Sequence, residues 1–134
     1  MAALSITAAN VKAGAGAIIT AGIAGATITA GQAVFRDTAT GKFVLSDADG
    51  DGLQQVAGIA LNGAADGQPL SVQTAGEILI GATLTAGTTY YLAPTAGGIG
   101  PLTDVASGDD PIVIGMAKST SVLLIRIIDP DVTI

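Results

Sequence analysis

Three aspartates in alternation, Asp47, Asp49 and Asp51, stand in the run DADGDG, with Gly50 and Gly52 between and after them. Carboxylates at the first, third and fifth positions of a loop, followed by a glycine, open a calcium site of the EF-hand type. That site also demands a bidentate glutamate at the twelfth position and a helix on either side. The twelfth position here is Gly58, and the flanks GKFVLS and QQVAGIALN read as strands. Asp66, the next acid downstream, is too distant to replace the missing ligand. An EF-hand is therefore not expected. A looser cation site completed by carbonyls and water is the remaining metal reading. Against it, Asp and Gly are the residues of tight turns, because both tolerate positive φ. The run is read as a polar turn.

Other chemistry is restricted by what the chain lacks. It has no His and no Cys. That removes the Ser–His–Asp triad, a thiol nucleophile, the ordinary zinc site and haem ligation through those residues. Without Cys there is no disulfide framework, so the redox compartment is not legible. Glu77 is the sole Glu, and any catalytic carboxylate pair would have to use Asp. No two acids share a recognisable pocket pattern, so an enzyme is not expected and no cofactor is implied. The basic residues Lys12, Arg36, Lys42, Lys118 and Arg126 are scattered, and the net charge is −6. Nucleic-acid binding relies on a clustered basic face that releases counterions. This chain would repel a phosphate backbone, and no nucleic-acid partner is expected.

The elements that carry these residues are short. A chain of 134 residues suits one domain. Nearly half its residues are hydrophobic, yet Phe35, Phe43, Tyr90 and Tyr91 are its only aromatics. Small side chains bury little area each, at about 25 cal/mol per Å². Such a core is expected to lean on partner subunits. Val-, Ile-, Thr- and Leu-rich runs alternate with Gly, Asp and Pro: LSITA, AIITA, QAVFRD, KFVLSD, QVAGIAL, PLSVQT, EILIGA, TTYYLA, PIVIGMA and SVLLIRII. Each is a strand's length and none carries a sustained helical stripe. The pattern predicts an all-β fold, a compact antiparallel barrel or sandwich, in a single domain over 1–134. Residues 1–14 and 129–134 are candidate terminal arms. Residues 13–34 are long and uncharged, but they are built from Gly, Ala and Thr with only five Val or Ile. Neither a membrane span nor a secretory signal is expected there.

The chain also echoes itself. ITAGQAVFRDTATGK (28–42) lies over LTAGTTYYLAPTAGG (84–98) without a gap, pairing Gly31 with Gly87, Phe35 with Tyr91 and Gly41 with Gly97. After a shift of one residue, VAGIALN (56–62) lies over VIGMAKS (113–119), and GQPLSVQ (67–73) resembles TSVLLIR (120–126) in pattern. Two copies offset by about 56 residues indicate duplication within one barrel, since half the chain could hardly close its own core. SDADGDGLQQ and TDVASGDDP occupy the same place in the two copies, and the second lacks the alternating aspartates. A loop that accepts either sequence behaves as a turn, kept solvated by its acids.

These segments carry a family resemblance. ITAGQAVFRDTATGKFVLSDAD, VAGIALNGAADGQPLSVQTAGEILIGATLTAGTTYYLAPTAGGIGP and the ending IGMAKSTSVLLIRII resemble capsid decoration, or cement, proteins of tailed bacteriophages. Similar modules occur in phage tail fibres. The likeness runs from about residue 15 onward and rests on turn and strand patterns, with no active site to carry over. It implies a β-barrel made in the host cytoplasm that docks on the outer surface of a phage head. There it would contact the major capsid protein, often as a homotrimer. A tail-fibre or baseplate module binding host carbohydrate is the alternative. It would usually display aromatics to stack on sugars.

For such a role, strand edges and termini are natural docking devices. Leu4 and Ile6 at one end, with Val132 and Ile134 at the other, are apolar enough to anchor on a neighbour; equally, they could cover the base of their own barrel. Pro130 is expected to end any strand begun at Ser121, so that DVTI leaves the barrel. Tyr90 and Tyr91 must face opposite ways on a strand, and the outward ring is an interface candidate or half-buried filler. Arg126, set in the apolar run LLIRII, is expected to pair with an acid on the barrel face or across a subunit contact. Asn62 is expected to support a turn with its side chain.

Overall fold

Why the chain turns where it does is visible in its glycines. The computed structural model describes residues 3–50 and 52–134. Gly31 and Gly87, Gly41 and Gly97, and Gly52 and Gly108 all take positive φ, and the members of each pair are echo partners. A left-handed residue at these points ends one strand and starts the next, which only glycine does without a Cβ clash.

Between the turns lie ten strands among the described residues: β1 Lys12–Ala13, β2 Ile18–Ile23, β3 Ala33–Arg36, β4 Phe43–Leu45, β5 Gly58–Ala60, β6 Pro69–Leu79, β7 Thr89–Leu92, β8 Ile99–Pro101, β9 Val113–Ala117 and β10 Val122–Ile128. They form one antiparallel sheet in the order β4-β3-β5-β6-β10-β9-β7-β8, with β1 and β2 also pairing with β6. The sheet curls into a half-barrel. The fold is all-β and antiparallel.

The strand order is a palindrome about β6 and β10, and most of the register repeats with it. The exception is that Ile59 pairs with Gln73 whereas Met116 pairs with Leu124, two residues from Gln73's echo partner Arg126. Val34↔Leu45 and Phe35↔Val44 in the first copy match Tyr90↔Pro101 and Tyr91↔Gly100 in the second. Ala33↔Ile59 matches Thr89↔Met116. Ile23↔Pro69 matches Leu79↔Val122. β6 therefore belongs to both copies. Its first half ends one repeat and its second half opens the next. The two predicted strands PLSVQT and EILIGA are this single element, bent at Gly76 (φ 88°), where a Cβ would strike the backbone of Gly16. Gln73 is buried at the bend and donates to the carbonyls of Ala75 (3.1 Å) and Glu77 (2.7 Å). LSITA is not a strand; the chain passes there into a 3-10 turn at Ala8–Asn10.

Each repeat gathers its own core. Ala24, Ile28, Val34, Phe43, Ala60, Leu70 and Val72 pack together in the first. The second holds Ile78, Ile80, Tyr90, Leu92, Ile99, Ile112, Ile114 and Leu123. This larger core also takes in Ala33 and Ile59, on the opposite face of β3 and β5, so the first repeat seals the second. The tip of the β7–β8 hairpin completes the joint. The Gly97 N–H donates to the Ser46 carbonyl (2.6 Å), and the Gly97 carbonyl accepts from Ala33 N–H (2.9 Å).

Echo partners thus differ in what surrounds them. A Cβ at Gly41 would meet open space, whereas one at Gly97 would lie 2.9 Å from Gln32 and 3.0 Å from Leu45. Gly41→Ala is expected to cost about 1 kcal/mol, for left-handed backbone alone. Gly97→Ala adds an overpacking cost, taking the loss to about 3 kcal/mol. Urea unfolding of the two variants measures the difference.

Candidate docking surface

The terminal candidates lie against their own barrel. Leu4 and Ile6 are half-buried on the larger core, and the Leu4 N–H donates to the Ile99 carbonyl at 2.8 Å. Met1 and Ala2, the start of the 1–14 arm, lie outside the described residues. At the other end β10 stops at Ile128, and residues 129–134 carry no strand. The tail nevertheless returns to the 106–110 loop. Thr133 Oγ1 donates to Asp110 Oδ1 (2.6 Å), Ile134 N–H donates to the Asp109 carbonyl (3.0 Å), and the Ile134 carbonyl accepts from Gly108 N–H. Val132 and Ile134 keep their side chains exposed.

Tyr90 is the inward ring of its pair. It is 4% exposed, and its hydroxyl accepts the Thr85 N–H at 2.9 Å. It cannot meet a partner while β7 is folded. Tyr91 is half-buried on the other face. Arg126 is exposed and makes no ion pair among the described residues. Asn62 does what its turn requires: Oδ1 accepts Ser71 N–H (2.7 Å), and Nδ2 donates to Gly63 and Pro69 carbonyls.

What surrounds Arg126 is more informative than the termini. Residues paired across an antiparallel sheet share a face. Glu77↔Leu124 and Leu124↔Met116, with Thr89↔Met116, make one row across β6, β10, β9 and β7. Leu124 and Met116 are exposed in that row, and Ile128 is exposed further along β10. Leu79, also exposed, pairs with Val122 in the next row. Charge rims this apolar strip: Lys118 Nζ lies 2.8 Å from Glu77 Oε2, and Arg126 stands between Leu124 and Ile128. An apolar centre with Met and Arg at hand and charge at the margin is the anatomy of a protein–protein interface.

The echo gives this face a counterpart. Thr89 and Met116 correspond to Ala33 and Ile59, which the second repeat buries completely. The same sheet face is thus covered in one repeat and open in the other. A second apolar area lies on β2, where Ile18, Ile19 and Ile23 are exposed. None of these residues was singled out by sequence reasoning. One signal was available: Leu124 and Ile128 put large apolar groups on the Arg126 face, where strand alternation calls for polar ones.

The acidic loop folds as a turn. Asp47 Oδ1 accepts the Asp49 N–H (3.2 Å), and the Asp47 N–H donates to the Leu53 carbonyl (3.0 Å). Asp51 lies outside the described residues, among which no three acids converge as metal ligands. Ala48 meets the equivalent loop of the second repeat, its carbonyl accepting Asp110 N–H at 3.0 Å. Desolvation by burial pushes the Asp47 carboxyl above its ordinary 3.8, and Asp49 beside it adds to the shift. A raised carboxyl favours the protonated folded state, so this stability is present below pH 3.8 and is lost as pH rises through the raised value. Asp47→Asn keeps the acceptor and removes the titration. The variant is expected to gain on the natural chain as pH rises from 3.5 to 7, read as the difference in Tm at each pH.

No protein-family model matches this chain, and no curated protein matches it at a significant level.

Proposed function

We propose that this chain is a structural virion protein that docks on the outer surface of a tailed-phage head and stabilises the shell. Its partner is the major capsid protein, and the docked form is a homotrimer. The observation that carries the reading is the open face of β9 and β10, with Met116, Leu124 and Ile128 exposed around Arg126. In the first repeat Ile59, the echo partner of Met116, is buried in the larger core. A rigid sheet presenting an apolar strip suits a lattice, where modest contacts repeated over many copies sum to firm attachment. The sequence resemblance points the same way. The aromatics argue against a sugar-binding role: Phe35, Phe43 and Tyr90 are buried and Tyr91 is half-buried, so no ring offers an open stacking platform.

Co-sedimentation with empty, expanded phage heads tests the proposal. Saturable pelleting with the shells is the expected result. Failure to pellet, with saturable binding to bacterial surface polysaccharide instead, would transfer the chain to the fibre class.

A further inference from the structure

The two repeats close differently. In the first, the chain just after β2 reaches β4 directly: Ala24 bridges Phe43, and the Gly25 N–H donates to the Phe43 carbonyl at 2.7 Å. The echo partners of Gly25 and Phe43 are Gly81 and Ile99. Those two are separated by the N-terminal segment, which occupies the place of the direct bond. Leu4 N–H donates to the Ile99 carbonyl and Thr7 N–H donates to the Gly81 carbonyl, each at 2.8 Å. The segment then turns through Ala8–Asn10 and runs as β1 along β6, pairing Lys12 with Leu79 and Ala13 with Ile78. It lends Leu4, Ile6 and the buried Val11 to the larger core.

We propose that residues 3–13 are an exchangeable strand donor, and that the gap between β6 and β8 is a strand-acceptor groove that accepts the same segment from a second copy of this chain. Complementarity to that occupant is already on view, because the groove holds the segment of its own chain. Identical chains offer identical segments, so only the connection decides which copy supplies it. That connection suits exchange. Gly14, Ala15, Gly16 and Ala17 separate β1 from β2; the Gly14 N–H and the Ala15 carbonyl still bond to Glu77 (2.7 and 2.9 Å), and beyond them Gly16 takes φ 68° with open space around its Cβ position. Few bonds hold the segment's first turn, and open clefts flank it. One is lined by Ser5, Thr7, Leu79, Gly81 and Thr83. Backbone pairing supplies affinity in such strand addition, and pockets for alternate side chains, here those of Leu4 and Ile6, supply selectivity. This inference does not depend on what surface the protein decorates.

The natural chain has no cysteine, which makes the test direct. Ser5 and Thr83 are exposed and line the same cleft. A Ser5→Cys population is mixed with a Thr83→Cys population, both as native proteins and by joint refolding from urea, and treated with a short bis-maleimide. Only a segment seated in another copy's groove brings the two thiols together. A heterodimer yield several-fold above that of Ser5→Cys with Thr38→Cys, a control in the distant β3–β4 turn, is the expected result after joint refolding. Yields equal to the control under both conditions would overturn the proposal.

Discussion

Gly115→Ala is expected to destabilise the protein by about 3 kcal/mol, near the upper end of ordinary overpacking costs. The cause is a close approach between strands. Gly115 pairs with Ile125 on β10, and an added Cβ would collide with the Leu124 carbonyl while sitting 3.2 Å from the Ile125 Cα. Those are backbone atoms of a paired strand, which cannot swing aside as a side chain can. Gly58, its echo partner, is in the same position against the Gln73 carbonyl, and Gly58→Ala is expected to behave alike. Neither glycine has positive φ, so the effect is one of space alone. Gly87 is the natural comparison, with φ 82° and nothing near its Cβ position. Gly87→Ala is expected to cost only about 1 kcal/mol. Domains of this kind have about 5–15 kcal/mol in total, so the two costs separate clearly in urea midpoints. A Gly115→Ala midpoint no lower than that of Gly87→Ala would refute the close approach.

Under the proposed docking role, Leu124→Lys is expected to reduce affinity for phage shells by about a hundredfold, the loss typical of a central interface anchor. The substitution places a charge in the middle of the apolar strip that Leu124 shares with Met116. The fold should tolerate it. Leu124 is 38% exposed, and Glu77, directly opposite, can share its carboxylate between Lys118 and the new ammonium group. A cross-strand pair of this kind is worth about 0.2–1 kcal/mol, which offsets part of the lost strand preference. Stability and docking therefore separate: the urea midpoint stays close to that of the natural chain while co-sedimentation falls. Ile18→Lys on β2 provides the spatial control. If it abolished pelleting and Leu124→Lys did not, the docking face would have to be moved from β10 to β2.

Much of this structure is local in origin and was legible in the residues. Alternating β-branched runs punctuated by Gly mark strands because the pleat has a period of two and turns need positive φ. The TAG turns before β3 and β7 are of this sort, and so is the Asp47 turn. Errors came where a local signal was ambiguous. Residues 99–101 lie outside the runs read as strands, yet Ile99–Pro101 is β8, its proline tolerated because the strand lies at the end of the sheet path, where a proline need not donate. LSITA reads as a strand by composition, yet it wedges into a gap that a distant hairpin leaves open.

What the residues alone determined is an all-β chain in two echoing copies, without His or Cys. Tertiary structure decided which of the matching faces is covered. Ile59 and Met116 are echo partners and pair alike with β3 and β7, but one is buried and the other exposed. The difference arises because the second repeat packs over Ile59, while no element of the described chain covers the Met116 face. Burial of that kind depends on contacts between distant segments, and no local pattern records it.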